Sequence, residues 1–379
     1  MSGAPSNATL HSRLLWRFHR DRPARWGLWL LMALYLMAAL APFLANGHAL
    51  ILWSGGRLSC PILRTMEPIE WRFLTYTFVA GFIAWQRVYF LGERWRLPLA
   101  IAALVVGTEV LIVCLPDAND QGNDRAAAGF KIMPPIPYSP NESGDSILSP
   151  PSSQHIFGTD LSGHDTASRL LHGARASLSI AVVAQAISLV IGVVSGLMSG
   201  YFKGWIDQFL VGIMNILDCF PWLLLVLVIV GLFGSQNNMM MVIIIVLGAT
   251  SWTPLARLVR GEALRLSAQP FTLAAQALGA RDVRIILQHL LPNILGIILV
   301  NSTFGVASII LAESSLDFLG FGLQAPTVSW GDTLASGEGY LDIAWWLTLF
   351  PSLIMFLSIM AYNFVGEGLR SALDTGSSS

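Results

Sequence analysis

The sequence predicts an all-α polytopic membrane protein, and three observations predict it. Of 379 residues, 54% are hydrophobic and only 12% are charged, about half the charge carried by a soluble domain. The mean hydropathy is positive, at +0.62, so much of the surface must itself be apolar and face lipid. The apolar residues also fall into windows of about 20, the length a helix needs to cross a bilayer. With 34 glycines and 13 tryptophans, the chain suits helices that approach closely and end in interfacial aromatics. A water-soluble globular protein is excluded. The net charge of -1 provides no field for nucleic acid, and Cys60, Cys114 and Cys219 have neither disulfide-framework nor zinc spacing.

Eight windows occur in order along the chain. The tail 1–25 carries Arg13, Arg17, Arg20, Arg22 and Arg25, which place it in the cytoplasm. The first span, 26–45, has no small-residue cleavage pattern after it and reads as a retained helix. The piece 46–72 is too interrupted to cross and reads as extracytoplasmic or interfacial. Windows 73–91 and 97–115 flank the basic connection Glu93, Arg94, Trp95 and Arg96, which makes 73–115 a hairpin turning inside. From 116 to 175 Asn, Asp, Gly, Ser and Pro dominate, as in an extracytoplasmic loop. Five more windows lie at 176–200, 209–233, 238–256, 293–311 and 343–365, and a cytoplasmic tail, 367–379, closes the chain. The interval 257–292 holds Arg257, Arg260, Arg265, Arg281 and Arg284 and is therefore cytoplasmic.

Within that interval the chain reads FTLAAQALGARDVRIILQHLLPN. Ala274, Ala275 and Ala277 make a smooth short helix, and Gly279 permits a sharp bend. A second helix from Asp282 puts Ile285, Ile286 and Leu290 on one side, and Pro292 is expected to end it. The product is a knob. This stretch resembles the coupling loop of the integral-membrane permease subunits of ABC importers, with a glycine four residues after its second alanine. The resemblance implies that Leu273, Ala274, Ala275, Ala277, Leu278, Gly279, Ala280, Arg281, Asp282, Ile285 and Pro292 dock the chain to an ATPase. Leu273 stands where the family's glutamate often lies.

Three further stretches resemble the C-type permease of dipeptide and oligopeptide importers: FGTDLSGHDTASRLLHGARASL from Phe157, AESSLDFLGFG from Ala312, and NFVGEGLRSAL from Asn363. His164 replaces the family's usual arginine. Pro326, Ser329, Trp330 and Gly331 come after the second stretch. The resemblance implies a type I ABC importer transmembrane domain with about eight spans, a six-span core plus the extra hairpin 73–115, and a permease core over 176–366. It also implies the partners: a second homologous permease, two ABC ATPase subunits or domains, and an extracytoplasmic substrate-binding protein, all at a bacterial inner membrane with both termini cytoplasmic. ATP and Mg would be bound by the ATPases. Cargo would be a di- or oligopeptide, a peptide-like antibiotic or a nickel chelate.

Other residues carry two readings each. Asp160, Asp165, Arg169 and Arg175 either shape an outer mouth or form a solvated, ion-paired surface helix. Glu313 and Asp317 are placed where the seventh span emerges, to meet substrate or the delivery protein. Asp218 and Pro221 either line the pathway or distort a helix. Glu109 lies in the extra hairpin, as a functional carboxylate or one that reaches water. Lys131 and Lys203 are the only lysines and neither lies in a phosphate-binding loop, so the chain does not hydrolyse ATP by that route. It is read as a non-catalytic transport subunit with no cofactor of its own. The rivals are a self-sufficient secondary transporter or channel, and a membrane hydrolase; neither HExxH nor GxSxG occurs,.

Overall fold

A computed structural model describes residues 20–54, 57–59, 130–235 and 238–373. The hairpin expected at 73–115, with Glu109, lies outside the described residues. The helices are α1 (Arg22–Leu44), α2 (Thr166–Phe202), α3 (Gly204–Cys219), α4 (Trp222–Phe233), α5 (Met239–Thr250), α6 (Thr253–Ser267), α7 (Pro270–Ala277), α8 (Asp282–Ile285), α9 (Leu291–Phe318), α10 (Trp330–Ala335) and α11 (Trp346–Leu373). Five stretches among the described residues are long and apolar enough to cross a membrane, and a bent pair makes a sixth candidate. These six match six of the eight expected windows.

The all-α expectation needs one correction. A small sheet of order β2-β1-β3 joins β1 (Ile51–Ser54), β2 (Arg57–Ser59) and β3 (Phe130–Ile132), with both pairings antiparallel. Strands of three or four residues are too short to leave a readable alternation.

The chain divides into two compact units. One comprises Met1–Leu31, Ser177–Gln324 and Leu353–Ser379; the other comprises Met32–Ala176 and Ala325–Ser352. In the first unit the packing is set by small residues. Gly192, Gly196 and Gly200 recur every fourth position of α2 and so share a face. A Cβ on them would lie 3.1 Å from the Trp252 carbonyl oxygen, 2.6 Å from that of Ala256 and 2.6 Å from the Ala263 Cβ. Lipid cannot drive helices together as water does, so close backbone approach must do it. Beside this seam Val193, Leu197, Tyr201, Leu255, Val259, Leu266, Ile285, Leu290, Ile294 and Ile298 form a continuous core. Gly27 of α1 meets α11 similarly: its Cβ would fall 2.8 Å from the Ala361 carbonyl oxygen.

Three expected spans change shape. The one expected at 209–233 is two helices, α3 and α4, bent by 85°. The cause is local, because Phe220 precedes Pro221 and is pushed out of the helical region to φ -90, ψ 139,. The helix expected from 176 begins at Thr166, because the Asp165 carboxylate accepts the Ser168 N–H at 2.8 Å and caps the first turn,. Pro292, expected to end a helix, does not: the stretch Asp282–Phe318 is one span candidate. Ile286–Leu290 is a π turn, and the Leu291 N–H bonds back to Ile286, so this register shift accommodates the missing proline donor.

In the second unit, Ala344, Trp346 and Leu347 form a core with Leu148, Tyr340 and Phe350. Phe157 stacks on Phe350 with ring centroids 4.1 Å apart. Gly158 turns at φ +74, where a Cβ would lie 2.7 Å from the Ser149 carbonyl oxygen. The Trp330 indole N–H donates to the Leu170 carbonyl at 3.0 Å and that of Trp346 to the Thr159 carbonyl at 3.2 Å.

Candidate functional site

The bent loop lies in the first unit. α7 ends in a Schellman closure: the Ala280 N–H donates to Ala275 at 3.1 Å and the Gly279 N–H to Gln276 at 2.9 Å,. Gly279 has φ +75 and nothing within 4 Å of where its Cβ would be. Arg281 is then extended, and Asp282 opens α8. Ile285 and Leu290 are fully buried in the core, and Ile286 packs beside them. The opposite side is apolar yet uncovered, with Leu273 52%, Leu278 88% and Val283 65% exposed. Ala274, Ala277, Arg281 and Asp282 are exposed too, while Ala275 and Ala280 are half-buried. The loop is therefore an anchored projection with a greasy tip, suited to contact with another protein.

Behind the bend lies a residue that sequence reasoning missed. The Tyr201 hydroxyl, near the end of α2, donates to Asp282 at 2.7 Å and accepts from the Gln276 amide at 3.4 Å. Close by on the same helix, Ser199 bonds to Asp207 of α3. Arg260 of α6 reaches that same carboxylate with two bonds of 2.6 and 2.7 Å. Asp218 is paired with Arg257 and accepts the Thr253 hydroxyl at 3.0 Å. Pro221 stands at the break between α3 and α4.

The second unit holds the residues expected at an outer mouth, and they are not a solvated helix face. Asp160, Asp165 and Arg169 are 4%, 1% and 7% exposed. Capping and pairing hold them inside: Asp160 accepts the Ser162 and His164 N–H groups at 2.8 Å each, and His155 bonds to Asp165 at 2.8 Å. Arg169 bonds to Asp332 at 2.5 Å, with Asp160 3.7 Å away. His164, at the position where the sequence departs from its family, bonds to Asp160 at 2.9 Å. Asp332 is a second residue that sequence reasoning missed, although Ser329, Trp330 and Gly331 directly precede it. Burial holds its carboxyl above the usual aspartate range, against the Arg169 guanidinium that pulls it down and with the Asp160 charge that pushes it up,. Asn141, Asp160, His164, Arg169, Pro326 and Asp332 line a cavity of about 600 Å³. Arg175 instead bonds to His172, whose Nε2 contacts the Ala45 carbonyl at 2.8 Å. That carbonyl can only accept, so Nε2 carries the proton and Nδ1 is the acceptor for Arg175.

Glu313 and Asp317 also require correction. Glu313 is fully buried and Asp317 is 6% exposed, so neither is placed to meet a solute or a soluble protein. Helical periodicity turns both into the unit: Glu313 accepts the Ser177 hydroxyl at 3.3 Å, and Asp317 accepts the Leu323 N–H at 2.7 Å, which ties down the chain after α9.

Comparison with known proteins assigns the family. Residues 192–378 match the model for the binding-protein-dependent transport system inner membrane component, and residues 9–49 match that for the N-terminal TM domain of oligopeptide transport permease C. The oligopeptide transport system permease protein OppC of Haemophilus influenzae is 41% identical over 220 residues, 58% of this chain and 70% of that protein. The dipeptide transport system permease protein DppC of Bacillus subtilis is 41% identical over 226 residues, 59% of this chain and 70% of that one. The glutathione transport system permease protein GsiD of Escherichia coli is 40% identical over 230 residues, 61% and 75% of the respective chains. With bent loop, span candidates and sequence in agreement, the chain belongs to the family of binding-protein-dependent transport system inner membrane components.

Proposed function

We propose that this chain is the membrane-spanning permease subunit of an ATP-driven importer, and that with a second, homologous permease it forms the pathway for di- or oligopeptides delivered by an extracytoplasmic binding protein. The observation that carries the reading is the bent loop: an exposed apolar tip at Leu273, Leu278 and Val283 on a base anchored by Ile285 and Leu290. Two ATPase subunits or domains dock on that tip from the cytoplasm, where ATP and Mg bind to them. Their closure pushes the loop, and the push favours one arrangement of the spans over the other. ATP must bind the two states with different affinity for this to work. Peptide cargo rests on the relatives, which are oligopeptide, dipeptide and glutathione permeases.

The chain itself supplies no hydrolytic chemistry in this reading. The positive-inside bias supports a cytoplasmic loop and cytoplasmic ends of the chain, with the GTD segment, Gly158 to Asp160, outside. Purification of the native complex tests the proposal: ATPases and a second permease should co-purify, and the binding protein's ligand identifies the cargo. The subunit alone in liposomes should move no peptide, and unaided transport would overturn the reading.

A further inference from the structure

The proposed docking places force on the bent loop but does not say how the force leaves it. Two kinds of contact hold the loop to the rest of its unit. Ile285 and Leu290 contribute apolar packing, which is non-directional and lets surfaces slide. The Tyr201 hydroxyl contributes hydrogen bonds, which fix both distance and angle. It donates to Asp282 at 2.7 Å and accepts from Gln276 at 3.4 Å. Gln276 lies in α7, before the bend at Gly279, and Asp282 opens α8, after it. One hydroxyl therefore spans the hinge.

The ring behind that hydroxyl is itself held. Tyr201 is 9% exposed and packs in the core with Leu197, Val259 and Ile285. Two residues earlier, Ser199 bonds to Asp207, the carboxylate that Arg260 of α6 grips twice. The last turn of α2 is thus the place where the loop, α3 and α6 are joined. We propose that Tyr201 is a positioning residue that fixes both arms of the bent loop to α2 and so carries the loop's displacement into that span. The inference rests on the reading of the loop as the ATPase-docking element.

The test uses the assembled complex in proteoliposomes, with its ATPases, second permease and binding protein. The quantity read is the ratio of ATP hydrolysis with loaded binding protein to hydrolysis without it. Tyr201→Phe keeps the ring and removes the hydroxyl, and should lower the ratio about fivefold, the factor one hydrogen bond's net contribution corresponds to, with ATPase co-purification unchanged. Asp282→Ala removes the acceptor and should fall with Tyr201→Phe. The double variant Tyr201→Phe/Asp282→Ala should be no worse than either single one, as for a shared contact. A wild-type ratio for Tyr201→Phe, or additive losses in the double variant, would overturn the proposal. Leu278→Lys, at the exposed tip, separates the two ideas. If it leaves the ATPases bound and stimulated, the docking reading fails; if it releases them while Tyr201→Phe keeps full stimulation, the brace alone fails.

Discussion

Arg169 sits between two carboxylates with 7% of its surface exposed. A guanidinium in that position neutralises Asp160 and Asp332 together, and its planar fork can serve both. Replacing it by methionine would leave Asp160, 4% exposed, without its cation. Breaking a buried pair in this way costs about 3–5 kcal/mol, and the lower end applies because the Asp332 side chain keeps 34% of its surface exposed. Arg169→Met should therefore lose about 3 kcal/mol in an unfolding titration in detergent. Asp332 adds a pH dependence. Its folded carboxyl titrates above its unfolded value, so between the two the native state holds more protons than the unfolded one. Stability then falls as pH rises through that window, which opens at about pH 4. Asp332→Asn removes this term, and its melting temperature should decline less than wild type's as pH rises from about 4. Parallel profiles for the two proteins would contradict this origin.

Among the elements, Gly279 and the two prolines decide the shapes. Gly279 has φ +75 with open space around its Cβ position, so a side chain there meets no steric barrier within this chain. Gly279→Ala should cost about 1 kcal/mol of backbone strain and leave coupling measurable. Gly279→Trp carries the same strain but fills space that a docked ATPase would need. It should stay in the membrane yet abolish substrate-stimulated hydrolysis by the complex, and undiminished stimulation would count against docking at the bend. Pro221 breaks a span while Pro292 sits in an unbroken one. The difference lies in their surroundings: the extended Phe220 precedes the first, whereas a π turn precedes the second and its bond from Leu291 to Ile286 shifts the register,.

For the molecule as a whole, the parity of crossings sets orientation. Read as a hairpin, the windows at 73–115 would contribute two crossings, so on that reading deleting the whole of 73–115 should leave a reporter fused after Gly200 on its original side. Deleting 72–96 removes one crossing and should invert every later span; if both deletions give the same reporter result, the hairpin assignment is wrong. The six other windows could be read because a span is long and uniformly apolar, a signal that survives any packing. The knob could be read too, since Ala274, Ala275, Ala277 and Gly279 encode smoothness and a bend locally. The ion cluster could be read only in part: Asp160 and Arg169 lie in one stretch, but Asp332 is 163 residues beyond Arg169, and only folding brings its carboxylate to that guanidinium.

Hydropathy and backbone freedom belong to single residues and their near neighbours, so the order of amino acids is enough to say that this chain lives in lipid, where its spans run and where the loop bends. It takes the folded chain to show that Glu313 and Asp317 face inward, that an exposed-looking acid and base pair is buried, and that Tyr201 touches both sides of the hinge. Such facts depend on which helix faces meet, and that is settled by the glycine seam between α2 and α6 rather than by any one stretch of residues.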